Sequence, residues 1–355
     1  MSEPGPRFDA GGPVEVVDAR TLFAAPGVWQ HQFASLARLD AGRLLLTFRR
    51  GAGPVRRNDG ALVLASSDDD GATWTHPRPV YAYPGWDCIN LGGLARFSDQ
   101  QLVWYLGRLQ MDDRLPGEEP CVGWYCTSTV SRDGGETWTE PGPEIRLFPG
   151  WTELYGASNP HRLADGGFML AVIGTQGRDL QWRAGVAFTD DLGQTFSEPV
   201  IIAQVPDRDF SDMDIVRLSD GRFLAVGREH FVKHSVYAHS GDEGRTWTAL
   251  RLTGFMGANI KLLRLRSGAV LCAYRDEAPE RAGVSCSVSE DGGHSWRFVG
   301  QLNAADPSVR RKPGNQCGYP DFAYVSATDF VGVAHPYADL EGRVDLHFFR
   351  LRDRT

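Results

Sequence analysis

Ser67-Asp68-Asp69-Asp70-Gly71-Ala72-Thr73-Trp74 decides the fold, because the chain writes this sentence five times. It returns at Ser131–Trp138, Thr189–Phe196, Ser240–Trp247 and Ser289–Trp296, each time as Ser/Thr-x-Asp-x-Gly-x-Thr/Ser-aromatic. The chemistry is that of a tight hairpin. The aspartate accepts hydrogen bonds from turn N–H groups, the glycine takes a positive φ, and the aromatic ring is expected to pin the turn to its own sheet. Each copy follows an apolar or alternating run, which marks a repeated supersecondary unit.

A second repeat runs between the copies: a strand, a turn of the Leu-x-Asp-Gly type, and another strand. The second strands read Leu44–Arg50, Leu102–Arg108, Phe168–Gly174, Phe223–Arg228, Val270–Arg275 and Phe330–His335. Six units share 355 residues, room for four short strands in each. The sixth unit lacks the Asp-Gly-aromatic sentence. The early run Val14–Val17 and the late run Val344–Phe349 are placed to complete it and to remove an exposed edge. Helical periodicity is nearly absent. The expectation is an all-β chain, a six-bladed β-propeller forming a single domain over residues 1–355.

Apolar content of 42% is ample for a core, and the net charge of −8, with no block of Lys/Arg, argues against a nucleic-acid partner. No apolar run approaches the ~20 residues of a membrane span, and Met1–Pro6 has neither a basic nor an apolar leader region. A cytoplasmic location with reduced, buried cysteines is therefore expected, Cys121 and Cys126 pairing only if the chain were exported by another route. No His/Cys/carboxylate cluster has metal spacing, so neither a metal nor another cofactor is expected. The oligomeric state is left open.

In such a fold the first strand of each unit begins, and the second ends, at the face where a pocket forms. Strand starts place His31, Gln32, Asp87, Asn90, Asn159 and Asp212 there, and strand ends place Arg50, Arg108, Arg228, His230 and Arg275. Several arginines around one pocket point to a carboxylate ligand, because the guanidinium fork matches that group.

The five-fold sentence resembles the Asp box of the sialidase superfamily, and this resemblance spans nearly the whole chain. The stretch Phe210-Ser211-Asp212-Met213-Asp214 through Arg228 is similar to the sialidase segment carrying a carboxylate, normally Glu, and a carboxylate-binding arginine. Gln316-Cys317-Gly318-Tyr319-Pro320-Asp321 resembles the segment carrying the nucleophilic tyrosine, and Glu280–Val284 the segment with a further arginine, Arg281 or nearby Arg275. The resemblance implies retaining hydrolysis with Tyr319 as nucleophile, Asp212 as its base, Asp59 as acid/base, and Arg50, Arg228 and Arg281 on the carboxylate. A phenol needs such a base, because its ordinary pKa is near 10. The chain departs from the family pattern in three places. His31-Gln32 stand where sialidases carry the arginine of Phe-Arg-Ile-Pro, Asp212 replaces a glutamate, and Asp59 lies closer to its Asp box.

The implied activity is that of a sialidase-like exo-glycosidase on a small glycoside of an acidic sugar. Two readings stand beside it: a lyase or hydrolase for uronic-acid sugars using His31 and His230 as acid and base, and a non-catalytic propeller that binds a glycan or protein.

Overall fold

The computed structural model describes residues 5–27, 29–39, 42–52, 58–111, 121–141, 151–156, 159–176, 181–230, 234–311, 317–339 and 341–355. Among them the chain is all-β, broken only by a single 3-10 turn at Pro307–Arg311. Every strand-to-strand pairing is antiparallel. No helix among the described residues is long and apolar enough to cross a membrane.

Among the described residues the strands pair into five antiparallel sheets, and the eight-stranded one divides at Arg251–Arg264 into two runs, so six successive strand groups, called units below, follow along the chain. The first holds Trp29–Arg38, Leu44–Ala52, Ala61–Ser67 and Arg78–Ala82. The second holds Asp87–Arg96, Leu102–Met111 and Cys121–Ser131. The third is built on Trp151–Gly156, Phe168–Gln176, Trp182–Thr189 and Val200–Ala203. The fourth has Phe210–Arg217, Phe223–Glu229 and His234–Ser240, and the fifth has Val270–Asp276, Ala282–Ser289 and Arg297–Ala305. The long strand Arg251–Arg264 serves both, opposing Val236 with Leu252 and Cys272 with Leu262. In the sixth, Gly318–Tyr324, Asp329–His335 and Leu346–Asp353 are finished by Val14–Phe23 from the other end of the chain.

The repeated turns share one set of hydrogen bonds. In the first, Thr73 N donates to Asp69 Oδ1 at 2.8 Å, Thr73 Oγ1 to Asp69 Oδ2 at 2.6 Å, and Gly71 N to Ser67 Oγ at 2.9 Å. Thr137 and Asp133, Thr195 and Asp191, Thr246 and Asp242, and Ser295 and Asp291 repeat it. The aromatic ring is not confined to its own sheet: Trp138 meets Trp104 of its own unit at 5.6 Å as expected, but the other rings cross. Trp74 reaches Phe348 of the sixth unit at 6.3 Å, Phe196 reaches Tyr105 of the second, and Trp247 packs in the core shared by the third and fourth. Each ring fills the seam with the preceding unit, because the glycine before it lets the turn lie flat against that neighbour. A Cβ on Gly71, held at φ 85°, would stand 2.8 Å from the Phe348 ring.

The apolar cores follow the seams. Cores form between units one and two, two and three, three and four, four and five, and five and six, while Leu44, Leu46 and Phe48 pack on Val331, Val333 and Phe348 across the last seam. Each Leu or Phe so buried contributes about 1.5–3 kcal/mol. Cys88, Cys126, Cys272, Cys286 and Cys317 lie in these cores or beside them as free thiols, so Cys126 forms no disulfide.

Candidate active site

The first strand of four units carries a bulge whose leading residue is forced into the left-handed region: Phe33 (φ 54°), Asp212 (φ 50°), Asn259 (φ 52°) and Tyr319 (φ 49°). None of these is glycine, and each such conformation costs about 1–3 kcal/mol, a kind of strain that collects at functional sites. The bulge interrupts the alternation and re-aims the side chain. Two residues named from sequence, Asp212 and Tyr319, stand at this position, as does Asn259, which the sequence also sets at the start of a first strand; Phe33 had no sequence signal.

Opposite the residue just before each bulge, the second strand supplies Arg49, Arg228, Arg275 and His335. Arg49, not the expected Arg50, is therefore the counterpart of Arg228 and Arg275 in the first unit; Arg50 faces His31 instead. Adjacent arginines cannot be told apart by apolar pattern, since a one-residue slip exchanges the faces. Spacing did hold the answer: each of the three stands seven residues past its turn glycine, Gly42 to Arg49, Gly221 to Arg228 and Gly268 to Arg275.

These positions converge. Arg228 Nη1 lies 3.7 Å from Asp212 Oδ2, with side chains 16% and 19% exposed. Buried Arg275 donates from Nε to Glu277 Oε1 at 2.8 Å, and Tyr319, Cys317 and Asp212 lie close enough to interact with it electrostatically. Tyr319 packs edge-on to Phe33 at 4.4 Å and lies parallel to His335 at 5.9 Å. Burial drives the His335 imidazole down to about 3, and Arg275 adds to the effect, so the ring is neutral. With Nδ1 turned to Pro336 O at 3.2 Å, its Nε2 has no hydrogen-bond partner among the described residues. Asn259 Oδ1 and Arg228 Nε are likewise buried without one. His230 bonds Ser211 beside Arg228 and Asp212, and burial followed by Arg228 lowers its pKa.

Beneath the bulges a charged belt ties the units together. Lys261 Nζ meets Asp321 Oδ1 at 2.9 Å and Asp214 Oδ2 at 3.9 Å. Burial opposes the Lys261 charge, but the two carboxylates outweigh it and hold its pKa raised. Asp214 Oδ2 accepts from Leu262 N, and Asp321 Oδ2 from Leu36 N, both at 2.8 Å, so each carboxylate reaches the next unit's first strand.

The other candidates divide. Asn90 braces the strained Phe33, donating to its carbonyl at 2.6 Å and accepting from Trp104 Nε1 at 2.6 Å. Asp87 accepts from Arg49 Nε at 2.8 Å, both side chains 0% exposed. Asp59 Oδ1 lies 3.9 Å from Arg49 Nη2, on a turn anchored where Cys88 N donates to Gly60 O at 3.0 Å. Gln32 is buried with its Oε1 lacking a hydrogen-bond partner, and Asn159 is half-buried. Three candidates are engaged elsewhere. His31 points its Nδ1 at Phe23 O, 3.1 Å away, in the seam with the sixth unit. Arg108 lies over Tyr83 and Trp86, and Arg281 binds Asp276 at 2.7 Å and covers Phe298. Among the described residues no group of three or more His, Cys, Asp or Glu is arranged to hold a metal ion.

Residues 117–332, more than half of the chain, match the family model described as a BNR repeat-like domain. The chain belongs to that family. A protein of unknown function from Dyadobacter fermentans is 20% identical, with a TM-score of 0.78 over 96% of this chain and 100% of that one. The NanB sialidase of Streptococcus pneumoniae is 13% identical, with a TM-score of 0.68 over 97% of this chain and 71% of that one. An α-L-arabinanase from Penicillium chrysogenum, solved with arabinobiose, is 15% identical, with a TM-score of 0.64 over 94% and 98%. No curated protein matches by sequence. At these identities the likeness shows the fold alone.

Proposed function

We propose that the chain is a six-bladed β-propeller glycosidase that hydrolyses a small glycoside of an acidic sugar with Tyr319 as nucleophile. The observation that carries this reading is the register of Arg228 and Arg275 beside the strained Asp212 and Tyr319. Two guanidinium groups on neighbouring units fit a carboxylate, and Arg49, at the same register of the first unit, extends the set. An anionic nucleophile would be repelled by a carboxylate at the anomeric carbon; a neutral phenol is not.

In the first step Tyr319 attacks the anomeric carbon, Asp212 takes the phenol proton, and Asp59 protonates the leaving oxygen as the glycosidic bond breaks. In the second, Asp59 removes a proton from water, which displaces Tyr319, and the phenol regains its proton from Asp212. Lys261 and the belt hold the bulges from below.

One observation favours a second reading, a lyase for uronic-acid sugars. His230 sits between Ser211, Arg228 and Asp212, and its lowered pKa keeps the ring neutral and able to take a proton. One experiment separates the two. Aryl sialosides and aryl uronides are offered to wild type, Tyr319→Phe and His230→Gln. Aryl alcohol release that vanishes in Tyr319→Phe supports the hydrolase. An ultraviolet-absorbing unsaturated product that vanishes in His230→Gln would replace it with the lyase. Turnover of no substrate by wild type would turn the reading to a binding propeller.

A further inference from the structure

Three large aromatic side chains among the described residues are notably exposed, Trp29, Tyr83 and Phe298, and each carries an arginine over its ring. The most elaborate of these stands at residues 83–86, between the first unit's last strand and the second unit's first. Tyr83-Pro84-Gly85-Trp86 closes a tight turn, with Trp86 N donating to Tyr83 O at 3.1 Å and Gly85 at φ 78°. Proline at the second position and a positive-φ glycine at the third are the marks of a type II turn. The turn brings the first and fourth side chains together, and the Tyr83 and Trp86 rings meet edge to face at 6.2 Å. Arg108 from the facing strand lies 4.2 Å over Tyr83 and 5.0 Å over Trp86, and it also hydrogen-bonds buried Tyr81. Pro84, the turn and this clamp make a rigid aromatic shelf, yet Tyr83 remains 45% exposed.

The shelf borders the leaving-group side of the proposed reaction. Trp86 leads into Asp87, which grips Arg49, and Arg49 faces Asp59 at 3.9 Å. Cys88, the next residue, holds the Asp59-Gly60 turn through its N–H. Asp59 is the group assigned to protonate the leaving oxygen, so whatever departs from the acidic sugar leaves toward this strand.

From this placement we infer that Tyr83, Trp86 and Arg108 form a leaving-group subsite for a neutral, hydroxyl-rich sugar ring. The apolar C–H face of a pyranose stacks on the exposed aromatic surface, and the guanidinium N–H groups meet its hydroxyls. Stacking on a fixed shelf loses little conformational entropy, the condition under which weak contacts become binding energy. The assignment of the ring as a leaving group rests on the proposed hydrolase reading; the presence of the sugar shelf does not.

Two measurements separate those statements. Lactose, cellobiose and maltose are titrated by saturation-transfer NMR against wild type, Tyr83→Ala, Tyr83→Phe and Tyr319→Phe. The shelf requires that at least one disaccharide bind wild type and Tyr319→Phe alike, weaken by about tenfold or more in Tyr83→Ala, and recover in Tyr83→Phe, which keeps the ring. Binding of none of them, or binding indifferent to Tyr83→Ala, overturns the subsite whatever the chemistry of the pocket. In the kinetic arm, the acidic sugar found to turn over is compared as its methyl glycoside and as its disaccharide. Tyr83→Ala raises KM for the disaccharide by about tenfold and leaves the methyl glycoside unchanged. An equal effect on both overturns the leaving-group assignment. Turnover undiminished in Tyr319→Phe would sink the tyrosine mechanism while leaving Tyr83-dependent binding intact.

Discussion

The two ends of the sheets use the same backbone to opposite purposes. At one end the five repeated turns spend their polar atoms on themselves, with serine or threonine, aspartate and backbone N–H in one closed pattern. At the other end no two units carry the same side chain at the bulge: Phe33, Asp212, Asn259 and Tyr319. There His335 Nε2, Asn259 Oδ1, Arg228 Nε and both Arg49 Nη atoms lie buried without a hydrogen bond from the described protein. A buried polar group left unpaired costs about 1–3 kcal/mol. The turn end is not free of such groups, since Arg38 Nε, Arg43 Nε, Gln101 Nε2 and Tyr105 Oη also lack a hydrogen-bond partner among the described residues. What sets the second end apart is that its unpaired atoms gather around the strained bulges.

The largest expected effect breaks this comparison at Tyr319. Tyr319→Phe removes a single oxygen, keeps the ring against Phe33 and His335, and leaves melting temperature within a few degrees. Loss of a nucleophile lowers kcat by about 10⁴-fold or more, measured on the acidic aryl glycoside. A variant that melts early would instead make Tyr319 part of the structure, like a box aromatic. Next in size is Asp87→Asn. It leaves the wholly buried Arg49 charge without its carboxylate, and breaking a buried pair from one side costs about 3–5 kcal/mol. Urea denaturation should show that loss. Gly60→Ala is its steric counterpart, because the added Cβ would stand 1.8 Å from Asp87 Oδ1.

The first end was legible in the sequence because a turn is local: its aspartate, glycine and aromatic lie within eight residues. What the ring touches was not legible, because it packs on a unit about 50 residues away or at the far end of the chain, as Trp74 does on Phe348. At the second end, Asp212, Tyr319, Arg228 and Arg275 could be named because their segments resemble a known pattern. Arg49 was missed because its neighbour Arg50 fits the apolar pattern equally well, and only the spacing of seven residues from Gly42, shared with Gly221 to Arg228, separates them. Asn90 looks like a ligand contact on paper, and only the strained Phe33 carbonyl shows it to be a brace. A bulge is a long-range agreement between strands, so no window of sequence displays it.

A smaller effect sharpens the carboxylate assignment. Arg228→Gln removes one charge-assisted contact to an anionic ligand, worth about 1.5–3 kcal/mol, so KM for the acidic glycoside rises about 10- to 100-fold. Arg281→Gln, whose guanidinium is taken by Asp276 and Phe298, serves as the contrast and should leave KM within about twofold. Equal effects from both would mean that register does not select the arginines that meet substrate.

The smallest effect is pH-dependent and tells the two ends apart once more. Threonine hydroxyls and N–H groups hold the carboxylates of Asp69, Asp133 and Asp242 down to about 2. Their folded pKa lies below the unfolded value, so their stabilisation is present above about pH 4 and is lost as pH falls toward 2. His335 is also depressed, to about 3 by burial, but from an unfolded value near 6.5. Its contribution is complete above pH 6.5 and fades as pH falls through 6 and 5, well before the turns respond. The acid limb of the stability curve should therefore have two parts. His335→Gln flattens the upper part, and Asp133→Asn slightly reduces the lower one, small because that carboxylate is exposed to solvent. If Asp133→Asn changed stability by the same amount at pH 2 as at pH 6, titration of the turn would not be the cause, and the two ends would not be separable by charge.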